Sequence, residues 1–177
     1  PVDRNDFSFT RDGEKILFDF AYITIHGVPG ENGLLQGYLD MMGVPYGCCN
    51  VLASALTFDK HTCNTYLKSY GVNVADSVML IRGMTYDVNE IINEVGLPCF
   101  VKPNAQLEDA LKKAFALCRE VLIETFIDGT ELTCGVVKAG DMDIAMPIAE
   151  VIPKNEFFDF EAKYDPTKSD EIIPARI

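Results

Sequence analysis

FDFAYITIHGVPGENGLLQGYLDMMG, residues 18–43, is the stretch whose reading decides the fold class. Its first eight residues, Phe18 to Ile25, are aromatic and β-branched and predict a strand, bounded on the far side by His26-Gly27. Four of the chain's 13 glycines, Gly27, Gly30, Gly33 and Gly37, fall within the next twelve residues, so the backbone there forms a specialised loop. A helix follows at about Gly33 to Met42, with Leu34, Leu35, Tyr38, Leu39 and Met42 on one face and Gly43 as its stop. Strand, glycine loop and helix in this order are the α/β way of presenting backbone N–H groups to a ligand. His26 stands at the strand end, where open α/β sheets carry ligand contacts. A structural imidazole bonded to a neighbouring carbonyl fits the same position. Glu31 either joins that site or caps the helix start and favours its dipole.

Outward from this stretch, Leu52 to Tyr70 reads as a helix that carries Asp59 and Lys60 and ends at Gly71. Val78 to Ile81 is strand-like, and Val88 to Val95 is a short helix stopped by Gly96. Cys99 to Pro103 is a strand that delivers Lys102 at its end, and Leu107 to Cys118 is an amphipathic helix. Three strands, Val121 to Ile127, Glu131 to Lys138 and Ile144 to Ile152, are expected to form a meander with turns at Asp128-Gly129 and Ala139-Gly140-Asp141. The charged, aromatic segment Lys154 to Asp170 has the length of a loop that closes over a site.

Composition narrows the function classes. The 177 residues allow one domain or two small ones at about 150 residues each. Fifteen Lys+Arg against 27 Asp+Glu give a net charge of −12, which repels a phosphate backbone and argues against nucleic-acid binding. No apolar stretch approaches the ~20 residues of a membrane-spanning helix. The six cysteines form no C-x-x-C pair or metal-like cluster and are expected as buried thiols of a reducing compartment. The chain opens on Pro1 inside what reads as a connection, so a piece of a longer chain is expected.

In so acidic a chain, lysines placed at element ends stand out. Phosphoryl transfer is carried by positioning and by cationic stabilisation of phosphate oxygens, usually with Lys or Arg and with Mg²⁺ held by carboxylates. Lys60 on a helix, Lys102 at the end of an apolar strand and Lys163 in the long loop are the candidates, although each alone also fits a solvated surface lysine. Glu124 and Glu131 lie seven residues apart across a strand and a turn. Such an edge reads an adenine through the linker backbone of Thr125, Phe126 and Ile127 and a ribose through a carboxylate, or else presents two acids to water.

Taken together and in order, HG-x-x-GE-x-G-x-x-QG at 26–37, GVPY at 43–46, S-A-L-x-x-DK at 54–60, VKP at 101–103, GTELT at 129–133 and FFDFEAKY at 157–164 resemble the D-alanine–D-alanine ligase family of the ATP-grasp superfamily. The resemblance runs from Tyr22 to Ile177. It implies an α/β (α+β) ATP-grasp fold with an N-terminal Rossmann-like domain, seen incompletely. It further implies residues 1–48 as the remainder of the substrate domain, 49–122 as the central subdomain, and 123–177 as the first part of the C-terminal subdomain, with an omega loop at about 153–170. The implied reaction is ATP-dependent joining of two D-alanines through a D-alanyl phosphate, for peptidoglycan precursors, in a cytoplasmic bacterial homodimer. Lys60, Lys102 and Lys163 match lysines on the ATP phosphates, Glu124 to Ile127 the adenine strand, Glu131 the ribose carboxylate, and Phe157 the ATP site. His26 and Glu31 match the D-alanine site. Lys163 and Tyr164 match the mobile loop that closes over it, and with His26 they are the expected catalytic residues. Tyr164 is the loop residue typical of dipeptide rather than D-alanine–D-lactate ligases, which are the alternative; a non-catalytic nucleotide- or D-alanine-binding fragment is another.

The departures from the family pattern are as specific. The family's glycine/serine-rich phosphate loop should follow Val101-Lys102-Pro103-Asn104, yet Asn104 runs straight into Ala105-Gln106-Leu107. The expected ligands for Mg²⁺ (or Mn²⁺) lie beyond Ile177. Asn32 replaces a common Asp, and Phe126 and Phe160 stand where Trp and Tyr are frequent. The chain is therefore expected to join segments of a longer enzyme.

Overall fold

A computed structural model describes residues 1–99, 104–154 and 167–177, with the backbone alone for 104–106. The chain divides into two units, Pro1–Phe126 and Ile127–Ile177. Helices and strands are mixed in the first unit, and strands alone are described in the second, in keeping with the α/β (α+β) expectation.

In the first unit, Asp12 and Gly13 both take left-handed φ, 52° and 85°. A two-residue primed turn needs that geometry, and it closes β1 (Phe9–Arg11) on β2 (Glu14–Ile16) with Phe9 opposite Ile16. β3 (Ala21–Tyr22) and β4 (Tyr46–Gly47) then pair in parallel, Ala21 opposite Tyr46, with α1 (Leu34–Met42) as the crossover that parallel strands require. Gly33 starts the helix at φ 88°, where an added Cβ would lie 2.9 Å from the Val51 carbonyl oxygen. The strand expected over Phe18 to Ile25 thus shortens to two paired residues. β4 offers only two partners, and Phe20 and Tyr22 stand 56% and 79% exposed, so strand-forming composition alone did not extend the ladder.

The helix expected over Leu52 to Tyr70 is two helices, α2 (Val51–Phe58) and α3 (Lys60–Ser69). Asp59 breaks it. Its backbone is extended and its carboxylate accepts the Thr62 N–H at 2.7 Å, so a residue read as mid-helix is the N-cap of the second helix. Asn50 caps α2 in the same way through the Ala53 N–H.

β5 (Ser77–Ile81) and β6 (Glu120–Glu124) pair antiparallel, with Ser77 opposite Glu124. α4 (Val88–Val95) and α5 (Asn104–Leu117) cover them. Leu80, Ile91, Val95, Cys99, Leu107, Leu111, Val121 and Ile123 form the core between these layers. Leu107, Leu111 and Ile123 are at most 1% exposed, and each such burial contributes roughly 1.5–3 kcal/mol. Of the six cysteines, all free, only Cys99 is buried; Cys63 is half-buried and the other four are exposed, which corrects the buried-thiol expectation.

The second unit holds a three-stranded antiparallel sheet in the order β11 (Ser169–Ile172), β10 (Ala149–Pro153), β7 (Glu131–Thr133). A separate hairpin, β8 (Val136–Ala139) with β9 (Met142–Ala145), turns at Gly140. The expected three-strand meander does not form: β6 pairs β5 in the first unit, and β7 pairs β10. Apolar runs mark strands but carry no information on their partners. Buried Glu150 of β10 is clamped by Arg176, whose guanidinium donates to both carboxylate oxygens at 2.9 and 2.6 Å. That clamp holds the Glu150 carboxyl down at about 2. No helix among the described residues is long and apolar enough to cross a membrane.

Candidate functional site

Residues 26–33 fold back on themselves. The Gly27 N–H donates to Glu31 Oε2 at 2.6 Å, and the Glu31 N–H returns to the Gly27 carbonyl at 2.9 Å. Glu31 Oε1 then lies 3.5 Å from His26 Nδ1. Gly30 is buried against the backbone that follows β3, where an added Cβ would sit 2.2 Å from the Ile25 carbonyl oxygen; only glycine fits there. Glu31 therefore does not cap α1, whose N-cap is Gly33; its carboxylate is turned onto its own loop.

Beside this loop lies a cavity of about 670 Å³, whose lining includes His26, Glu31, Gln36, Cys48, Ser54 and Lys60. Lys60 reaches it because Asp59 starts a new helix, which places the lysine at the first position of α3. The capping hydrogen bonds from the Thr62 side chain and backbone hold the Asp59 carboxyl below its ordinary value. The fold thus gathers an imidazole, a carboxylate and an ammonium group from two sequence motifs around one hollow.

Glu124 ends β6, half-buried, and its Oε1 accepts the Asn64 side-chain N–H at 3.0 Å. Thr125 is fixed by its hydroxyl to the Val95 carbonyl at 2.7 Å and by its N–H to the Asp76 carbonyl at 2.9 Å. The Phe126 N–H donates to the Pro98 carbonyl. Ile127 begins the second unit and is 64% exposed, and Glu131 is exposed on β7 of that unit. Lys102, Phe157, Lys163 and Tyr164 lie outside the described residues. Of the predicted site residues, then, the structure brings together His26, Glu31 and Lys60.

Sequence reasoning assigned no role to Gln36, Cys48, Ser54 or Asn64. Gln36 carried one readable signal, a polar residue inside a helix dominated by leucine and methionine. Asn64 carried none, because its partner is sixty residues away. Among the described residues no group of three or more His, Cys, Asp or Glu is placed to hold a metal ion, so the residues described do not fit a divalent-cation site.

This mixed helix-and-strand fold is that of the ATP-grasp ligases. Structural likeness to D-alanyl-alanine synthetase A from Vibrio cholerae supports the fold, with a TM-score of 0.78 at 23% identity over 97% of this chain and 57% of that one. A D-alanine–D-alanine ligase from Bacillus anthracis, solved in complex with ATP, superposes with a TM-score of 0.71 at 31% identity, covering 88% of this chain and 53% of that one. The family model described as D-ala D-ala ligase C-terminus matches residues 66–177. A D-alanine–D-alanine ligase from Phocaeicola vulgatus is 53% identical over 191 positions, covering all of this chain and 59% of its relative. The chain belongs to the D-alanine–D-alanine ligase family. It spans about three-fifths of the length of the curated relatives it matches.

Proposed function

We propose that the protein carrying this chain uses ATP to join two D-alanines. A carboxylate oxygen of the first D-alanine attacks the γ-phosphorus of ATP and ADP departs. The amine of the second D-alanine then attacks the acyl carbon, and phosphate leaves as the new amide forms. The observation that carries the reading is the meeting of His26, Glu31 and Lys60 on one cavity in a chain of this family. Lys60 supplies positive charge to phosphate oxygens, where pre-placed cations lower the barrier to transfer. Glu31, oriented by the Gly27 N–H, keeps the His26 imidazole facing the amino-acid end of the cavity. Lys102 and Lys163 complete the cationic set, with Tyr164 and Phe157 in the closing loop; exclusion of water there protects an acyl phosphate from hydrolysis. Glu124 to Ile127 receive adenine and Glu131 the ribose. We place the reaction in the bacterial cytoplasm, in a homodimer.

The test is ADP and phosphate release by the full-length protein with ATP and D-alanine, beside D-lactate as the second substrate. The reading expects D-alanine-dependent release with little on D-lactate, and a loss of about a hundredfold or more in Lys102→Ala and Lys60→Ala, as for other removed charge stabilisers. Equal rates in Lys102→Ala and the parent would remove that lysine from the mechanism. No D-alanine-dependent release would favour a non-catalytic binding protein.

A further inference from the structure

We propose that Gln36 is the positioning residue for the amino-acid end of the cavity, holding the loop that carries His26 and Glu31. This inference rests on reading those two residues as the D-alanine pair. Gln36 sits on α1, 1% exposed. Its Nε2 donates to the Gly30 carbonyl at 2.7 Å and to Cys48 Sγ at 3.3 Å, while its Oε1 is buried without a partner. A side chain present only to fill space would do so more cheaply as methionine, because an unpaired buried amide oxygen destabilises the fold. The amide is explained by what its N–H groups grip. Gly30 adjoins Glu31, and its backbone is already pressed against the Ile25 carbonyl. A pull from α1 on the Gly30 carbonyl therefore fixes the peptide leading into Glu31. Glu31 in turn fixes Gly27 and faces His26. Gln36 acts through the loop, on the amino-acid site alone.

The experiment compares steady-state kinetics of full-length Gln36→Met, Gln36→Glu, Cys48→Ala and His26→Ala. Gln36→Met keeps length and burial, loses the donor and also removes the unpaired oxygen, so its Tm should stay near the parent's. Its KM for D-alanine should rise about tenfold, the scale of one lost oriented hydrogen bond, with the KM for ATP unchanged within about twofold. Gln36→Glu should show the same defect at pH 8. The defect should shrink at pH 6, as a protonated carboxyl donates to the Gly30 carbonyl again. Cys48→Ala, at an exposed position, removes the second anchor and should raise the D-alanine KM alone by about two- to threefold. It carries the test by itself should the Gln36 variants not fold. An unchanged D-alanine KM in Gln36→Met, or in Cys48→Ala where that variant must stand alone, would overturn the proposal, as would equal loss of ATP and D-alanine affinity. A D-alanine KM insensitive to His26→Ala would instead overturn the reading of the site itself.

Discussion

Glu31 and Glu124 are held in opposite ways. Glu31 is held by a backbone N–H four residues upstream, inside a loop whose conformation its own glycines permit. Glu124 is held by the amide of Asn64, sixty residues upstream on a helix remote from it in sequence. A local tether travels with its motif, so HG-x-x-GE arrives folded as a unit. A distant tether exists only after α3 and the β5–β6 sheet have both formed. The first carboxylate should fail when the backbone is altered, the second when a remote side chain is.

The largest effect is expected from Gly30→Ala. The new Cβ would meet the Ile25 carbonyl oxygen at 2.2 Å, a backbone atom that cannot yield without moving the chain. A loss of about 3 kcal/mol or more in urea unfolding, with D-alanine saturation abolished, is the outcome expected of such overpacking. Gly129→Ala, where nothing lies within 4 Å of the added atom, should unfold like the parent. If both variants unfold alike, the loop is not the rigid half of the comparison.

Next come the carboxylate tethers. Glu31→Ala leaves the Gly27 N–H without its acceptor and should raise the D-alanine KM by about tenfold. Asn64→Ala frees Glu124 and should raise the KM for ATP by roughly three- to fivefold, leaving D-alanine saturation alone. Crossed effects in initial-rate measurements would show that the two acids do not serve separate ends of the reaction.

Asp59→Ala should cost about 1 kcal/mol, the usual worth of an N-cap, as a lower urea midpoint. Because capping lowers the Asp59 carboxyl in the folded state, that stability is present above its ordinary 3.8 and fades as pH falls further. The last effect, read in acid, lies in the second unit. Arg176 holds Glu150 at about 2 against an ordinary 4.5, so the pair stabilises the fold above about pH 4.5 and loses that contribution as pH falls toward 2. Arg176→Met should flatten this part of the acid-unfolding curve followed by circular dichroism. An unaltered curve would mean that the ion pair contributes nothing there.

How much was legible divides along the same line as the two glutamates. The glycine loop, α1 with its Gly43 stop and α4 with its Gly96 stop were all readable, since each is dictated by residues within a few positions. Lys60 was readable as a chemical group and Asp59 was not readable as a helix break: aspartate within a helical run reads as a surface residue until the chain is seen to bend at it. The meander over 121–152 failed because pairing of β6 with β5, and of β7 with β10, is decided by packing across long separations. Exposed Cys48 and Cys49 failed for a related reason, as a general preference of thiols for the interior does not bury them where the segment lines a cavity. Gln36 was visible only as an exception to helical patterning. What it grips, the Gly30 carbonyl, belongs to geometry.

The most direct measurement is a crystal structure of the full-length protein with a non-hydrolysable ATP analogue and D-alanine. The account predicts Lys60 Nζ at about 3 Å from a phosphate oxygen, and D-alanine in the same hollow against His26, with Glu31 still bonded to the Gly27 N–H. A nucleotide bound elsewhere, with Lys60 turned to solvent and the hollow empty of amino acid, would contradict it.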